Sequence, residues 1–173
     1  MAEQSATASP NFADYQAFLW RDLVIVTITA ILWFANSVAP LSGAAGYACG
    51  VLTGICALQL HEWGHVWGAF RCRADLYPPA HWWHPFMFSL DHTSNSRAQF
   101  LAVSLPAFAA TAVYLTGFLT LLPRDTLAGK TALIMGLVTA SLTVLIELPL
   151  FAKVYRGGKL PPVELFKRPQ QGR

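Results

Sequence analysis

The sequence contains little charge. Only 12% of its 173 residues are Asp, Glu, Lys or Arg, whereas 54% are hydrophobic, and this balance is far from that of soluble domains. We therefore predict one domain embedded in a lipid bilayer. The formal net charge is only +3, and the basic residues do not cluster with stacking aromatics. A nucleic-acid partner is not expected.

Cysteine is scarce as well. The chain has 3 cysteines, Cys49, Cys56 and Cys72, with no Cys-x-x-Cys pair. An odd number without that spacing argues against a disulfide framework and against a cysteine zinc cluster. Residues 1–20 contain no Lys or Arg, so the positive segment that begins a secretory signal peptide is missing. We expect the first apolar stretch to remain in the protein.

The predicted fold is all-α, with four transmembrane helices, because a helix needs about 20 mostly apolar residues to cross the hydrocarbon. An N-terminal tail (residues 1–20) and a basic cytoplasmic tail (157–173) flank this helical domain (21–156). Between the second and third helices, prolines and aromatics over Tyr77 to Phe88 predict an irregular loop at the membrane interface. The four helices are predicted over roughly residues 23–39, 44–70, 98–122 and 131–155.

Basic residues are distributed unevenly over the predicted loops. Four crossings place both termini and the loop between helices two and three on one side of the membrane, and only Arg124 and Lys130 lie on the other. The positive-inside rule then places both termini in the cytoplasm. The compact design indicates a bacterial inner membrane. The basic residues on the cytoplasmic side are Arg21, Arg71, Arg73, Arg97, Lys153, Arg156, Lys159, Lys167, Arg168 and Arg173.

Near the cytoplasmic end of the second predicted helix stands the sequence His61-Glu62-Trp63-Gly64-His65. Histidines four residues apart point the same way from a helix, so both imidazoles can bind one zinc ion, while the glutamate can approach a metal-bound water. Ionisable groups within a membrane helix are costly and normally mark function. We therefore predict a zinc site in which His61 and His65 are ligands and Glu62 is the catalytic base.

A catalytic zinc usually has three protein ligands, so a third ligand is expected. Glu147 is the strongest candidate, because it is the only acid in the fourth apolar stretch and matches the depth of the two histidines. The alternatives are Asp91 and His92 in the loop, and an interfacial ion pair of Glu147 with Lys153 or Arg156 remains open.

Loop residues His81 and His84 are weaker ligand candidates, because nearby prolines make a regular helix there doubtful. Asp91 is equally able to cap a turn with Thr93 and Ser94. Histidines that only hydrogen-bond neighbouring helices, and a bis-histidine haem, are further alternatives.

The motif resembles that of the site-2 protease family of intramembrane zinc metalloproteases, whose hallmark is His-Glu-x-Gly-His on a membrane helix. The resemblance implies a core of three helices, here the second to the fourth. It also implies a Gly-Pro turn in the middle helix and an aspartate ligand from a Leu-Asp-Gly motif in the last. This sequence has Ser104-Leu105-Pro106 and Ile146-Glu147-Leu148-Pro149 at those places, as expected of a divergent member.

The resemblance implies hydrolysis of peptide bonds in or near membrane segments of other proteins. The main alternative is a non-proteolytic membrane subunit of a larger complex, which retains a structural or vestigial metal site. A histidine-rich di-iron oxygenase is the last alternative, and it would need many more than the 5 histidines present. The expected partners are thus membrane-protein substrates or a membrane complex, together with the lipid bilayer.

Overall fold

The computed structural model describes residues 11–161. The outer part of each predicted tail, residues 1–10 and 162–173, lies outside the described residues. The fold is nearly all-α, as predicted. A short 3₁₀ turn, Phe12–Tyr15, leads into the first helix. The helices are α1 (Gln16–Val38), α2 (Gly43–Cys72), α3 (Arg97–Leu121), α4 (Leu127–Leu142) and α5 (Leu148–Tyr155).

Four helical segments of the described chain are long and apolar enough to cross a membrane. The fourth consists of α4, a π-helical turn over Thr143–Glu147, and α5, which continue one another. It begins at Leu127, earlier than predicted, because the Thr126 side chain caps it by accepting from the backbone amide of Gly129.

The first helix also begins earlier than predicted. The N-terminal tail is predicted over residues 1–20, whereas residues 12–20 form the 3₁₀ turn and the first turns of α1 in the structure. Tyr15 and Phe18 are buried and pack with Val66 and Met87 in one hydrophobic cluster. Burial of these two aromatic side chains holds the segment against α2.

Helix α2 is the central helix, and it packs against both α3 and α4. Its glycines make this close packing possible. A Cβ atom on Gly50 or Gly54 would lie 2.4 Å or 2.3 Å from side-chain atoms of α4, and one on Gly68 would lie 2.7 Å from a carbonyl oxygen of α3. Small residues that allow backbones to approach are typical of membrane helix interfaces.

The connection between α2 and α3 contains a short antiparallel strand pair, which the sequence analysis did not predict. Strands β1 (Leu76–Tyr77) and β2 (Ser89–Leu90) pair through Leu76 with Leu90 and Tyr77 with Ser89. Asn95 closes the base of this hairpin by accepting from the amide of Asp75 and donating to its carbonyl. The Pro-rich and aromatic residues between the strands, 78–88, are hereafter called the hairpin loop.

Candidate metal centre

The His61, His65 and Glu147 side chains converge at one point between α2 and the fourth helical segment. One potential ligand atom from each lies within 4.8 Å of the others. His61 Nε2 is 3.0 Å from Glu147 Oε1, and His65 Nε2 is 3.3 Å from Glu147 Oε2. The two Nε2 atoms are 3.2 Å apart. The structure thus brings together the three residues that the sequence analysis selected as ligands.

Helix α3 orients both imidazoles through hydrogen bonds to Nδ1. His61 Nδ1 lies 3.2 Å from the Ala107 carbonyl oxygen and 2.8 Å from Thr111 Oγ1, and His65 Nδ1 lies 3.2 Å from the Val103 carbonyl oxygen. A backbone carbonyl only accepts, so each bond needs the proton on Nδ1 and leaves the Nε2 lone pair free. This is how metal-binding histidines are normally held.

The atoms at the centre of the cluster are then all acceptors. Glu147 Oε2 is buried and has no hydrogen-bond partner among residues 11–161. The His65 Nε2 that lies 3.3 Å from it carries a lone pair in this tautomer. A single proton could link only one pair of these atoms, whereas a cation at the centre would satisfy all of them. Ligands of a tetrahedral zinc, with bonds of about 2.0–2.1 Å, are about 3.3 Å apart, which the observed spacings match.

Glu62 belongs to the same site but has a different environment. It is 5% exposed, and its Oε2 accepts a hydrogen bond of 3.0 Å from the backbone amide of Met87 in the hairpin loop. It lines the cavity that His61, His65 and Glu147 also line. Glu62 is therefore positioned beside the cluster without being part of the ligand group.

The cavity at the cluster has a volume of about 300 Å³. Apart from the ionisable residues of the cluster its walls are mainly aliphatic and aromatic, and they come from the hairpin, α3 and the fourth helical segment. An apolar wall around a few convergent polar groups is the usual character of a binding site. Its apolar lining includes Phe88, Leu90, Phe100, Val103, Ile146 and Leu150.

A π-helical turn carries Glu147 into the cluster. The backbone amide of Leu148 bonds to the Thr143 carbonyl, five residues back, and Pro149 follows directly. Because proline has no amide hydrogen, the ordinary helical bond is lost at this point, and π turns often mark functional sites. The helix is widened at Glu147 and continues past Pro149 to Tyr155.

The other ligand candidates lie apart from this centre. Among residues 11–161 the group of potential ligands contains neither Asp91 nor His92. Asp91 Oδ1 accepts from the amide and the hydroxyl of Thr93 and from the amide of Ser94, the turn cap considered as its alternative role. His81 stacks on Trp83 with ring centroids 4.4 Å apart, and His84 Nδ1 accepts from the amide of Phe86.

Asp22 lies next to the site and binds Trp63 of the motif, a contact that the sequence did not predict. Asp22 of α1 is 5% exposed, and its Oδ2 accepts a hydrogen bond of 2.8 Å from Trp63 Nε1. An acid inside an apolar helix was the available indication. The first helix is predicted to begin near residue 23, which leaves Asp22 outside it, whereas α1 begins at Gln16.

Gly64 sets the distance between the motif helix and α3. A Cβ atom at Gly64 would lie 2.6 Å from the Ala107 Cα and 2.9 Å from the Pro106 carbonyl carbon. These are backbone atoms, which cannot turn aside as a side chain can. The glycine of the motif is thus needed to bring His61 within reach of the Ala107 carbonyl.

We expect Gly64→Ala to destabilise the protein by about 1–3 kcal/mol, the usual cost of overpacking. It should also displace both histidines and so weaken the binding of zinc, if the cluster holds that ion. Gly117→Ala is the matched control, because a Cβ atom there meets nothing within 4 Å, and alanine favours the helix. Thermal unfolding in detergent with and without zinc measures both effects. Equal behaviour of the two variants would contradict the packing role of Gly64.

No family model, curated protein or solved structure matches the chain. The geometry of the cluster and the motif that forms it are therefore the basis for assigning a function.

Proposed function

We propose that the protein is an intramembrane zinc metalloprotease, a divergent relative of the site-2 proteases, that hydrolyses peptide bonds in or near membrane segments of other proteins. The observation that carries the proposal is the convergence of His61, His65 and Glu147, with Glu62 beside them, at an apolar cavity between helices long enough to cross a membrane. We further propose that it lies in a bacterial inner membrane with both termini in the cytoplasm.

The four polar side chains would divide the work between binding and proton transfer. His61, His65 and Glu147 would hold the metal through Nε2, Nε2 and a carboxylate oxygen. When bound, zinc supplies a Lewis acid and lowers the pKa of a water molecule towards neutrality. Glu62 would take the proton from that water as general base and later return it to the amine that leaves.

The apolar walls of the cavity suit a substrate that comes from the bilayer. A transmembrane helix hides its carbonyl groups in internal hydrogen bonds, so the substrate segment must unwind locally before a carbonyl can approach the site. Phe88 and Leu90 of the hairpin line the cavity, and the segment would therefore enter beside the hairpin loop. The substrate class is thus a membrane segment with apolar residues next to the cleaved bond.

The proposal is tested by incubating the purified protein in lipid nanodiscs with a set of transmembrane peptides and analysing the products by mass spectrometry. We expect cleavage that stops when the metal is removed with 1,10-phenanthroline and that returns when zinc is added. Cleavage that is insensitive to the chelator would contradict a metalloprotease. Zinc bound at one ion per chain without cleavage of any peptide would instead favour the non-proteolytic membrane subunit.

A further inference from the structure

A chain of polar contacts links α1 to the hairpin loop and to Glu62. Arg21 Nε pairs with Asp22 Oδ1 at 2.7 Å. Arg21 Nη1 donates to the carbonyl oxygens of Trp82 and His84 at 2.8 Å and 2.7 Å. Arg21 therefore binds two carbonyl groups of the hairpin loop, while Asp22, its ion-pair partner, accepts a hydrogen bond from Trp63 of the motif.

The ion pair of Arg21 and Asp22 is largely removed from solvent, whereas the bond from Arg21 to the Trp82 carbonyl lies in exposed surroundings. The Arg21 and Asp22 side chains are 11% and 7% exposed, and the Arg21 guanidinium also lies over the Phe18 ring, 5.1 Å from its centroid. Hydrogen bonds with charged groups contribute more than neutral ones, and removal of one member of a buried pair leaves the other uncompensated. A charged pair of this kind in a membrane helix calls for a specific role.

The anchored segment leads directly to the contact with Glu62. Three residues after His84, the Met87 amide donates to Glu62 Oε2, and the Met87 side chain is fully buried against α1 and α2. A substrate carbonyl that approaches Glu62 from this side meets the loop. The loop therefore covers the carboxylate in this arrangement, and Arg21 fixes the part of the loop that would have to move.

We propose that Arg21 and Asp22 form a latch that keeps the hairpin loop closed over Glu62, and that release of this latch admits the substrate segment. The closed loop is a property of the fold, whereas its effect on hydrolysis rests on the proposed function. In this proposal α1 controls access of the substrate to the site that α2, α3 and the fourth helical segment form.

The latch is tested by hydrogen–deuterium exchange of the full-length protein in detergent, followed by mass spectrometry. In Arg21→Gln we expect amides of residues 82–88 to exchange about tenfold faster or more, because local opening sets exchange rates, while amides of α3 keep their wild-type rates. Asp22→Asn, which can still accept from Trp63, should give a smaller increase. Arg21→Lys keeps the charge and should restore part of the protection.

Arg71→Gln is the matched control, since Arg71 belongs to the same cytoplasmic group of charges and stacks over the Trp67 ring, with 5.3 Å to its centroid. It should leave loop exchange unchanged. Wild-type exchange of residues 82–88 in Arg21→Gln would overturn the latch, and so would faster exchange throughout the protein. Zinc binding and peptide cleavage are measured separately, so a loosened loop in a protein that cleaves nothing would reject the proposed function and retain the latch.

Discussion

Replacement of Glu147 with alanine is expected to weaken zinc binding by the purified protein at least about 100-fold. This exceeds the loss typical when a partner of a ligand, rather than a ligand, is removed. The two Nε2 atoms, 3.2 Å apart, would remain, but a catalytic zinc site normally needs three protein ligands. Competition with a chromophoric chelator measures the affinity, at one fixed pH because ligand protonation competes with the metal.

Matched variants separate loss of a ligand from loss of charge or fold. Glu147→Gln keeps the size of the side chain and should also bind zinc weakly, because an amide is a poor substitute for a carboxylate ligand. Asp125→Ala removes an exposed acid at the other end of the fourth segment and should bind zinc normally. If Glu147→Ala still bound zinc strongly, and an Asp91→Ala or His92→Ala variant lost zinc binding, the third zinc ligand would be a residue of the loop instead of Glu147.

The three residues of the cluster could be selected from the sequence because each depended on a short-range rule. Histidines four apart share a helix face wherever the helix packs. Glu147 was selected by depth, since the number of residues from a helix end converts directly to a distance along the membrane normal. Both rules apply along a single helix, so they can be used without knowing how the helices pack against one another.

The rotation of Glu147 about its helix axis could not be predicted in the same way. One extra residue in the turn over Thr143–Glu147 changes the direction of every later side chain by roughly a quarter of a turn or more. The sequence contains the cause, Pro149, but a proline can kink a helix, end it or widen it. Packing of the fourth segment against α2 decides among these outcomes, and packing is not visible in a single sequence.

The role of α1 was also beyond sequence reasoning. The resemblance implied that the first helix is an addition to a core of three helices. In the structure its Asp22 binds Trp63, at the variable position of the motif, and Arg21 binds the hairpin loop. These contacts join residues 41 to 63 positions apart, and no periodicity or motif encodes such a pairing.

Replacement of Glu62 with glutamine is expected to lower peptide cleavage by about 10²- to 10⁴-fold, the usual contribution of general base catalysis, with no loss of bound zinc. The amide oxygen of glutamine can still accept from the Met87 amide, so the contact of 3.0 Å that orients this side chain is retained. The variant therefore removes the proton acceptor while it preserves the packing. Glu62→Asp, one methylene shorter, should have intermediate activity. Product formation per zinc ion, measured by mass spectrometry and elemental analysis on the same samples, separates the two effects.

The pair of measurements also decides which role the carboxylate has. Wild-type cleavage in Glu62→Gln would remove Glu62 from the mechanism, whereas loss of zinc would make it a ligand and reopen the role of Glu147. The structure argues against both of these outcomes, because Glu62 lies beside the group of His61, His65 and Glu147 and is held by the hairpin loop. A carboxylate that is buried, oriented by a backbone amide and adjacent to a group that could hold a cation is suited to accept a proton, provided that the loop lets the substrate in.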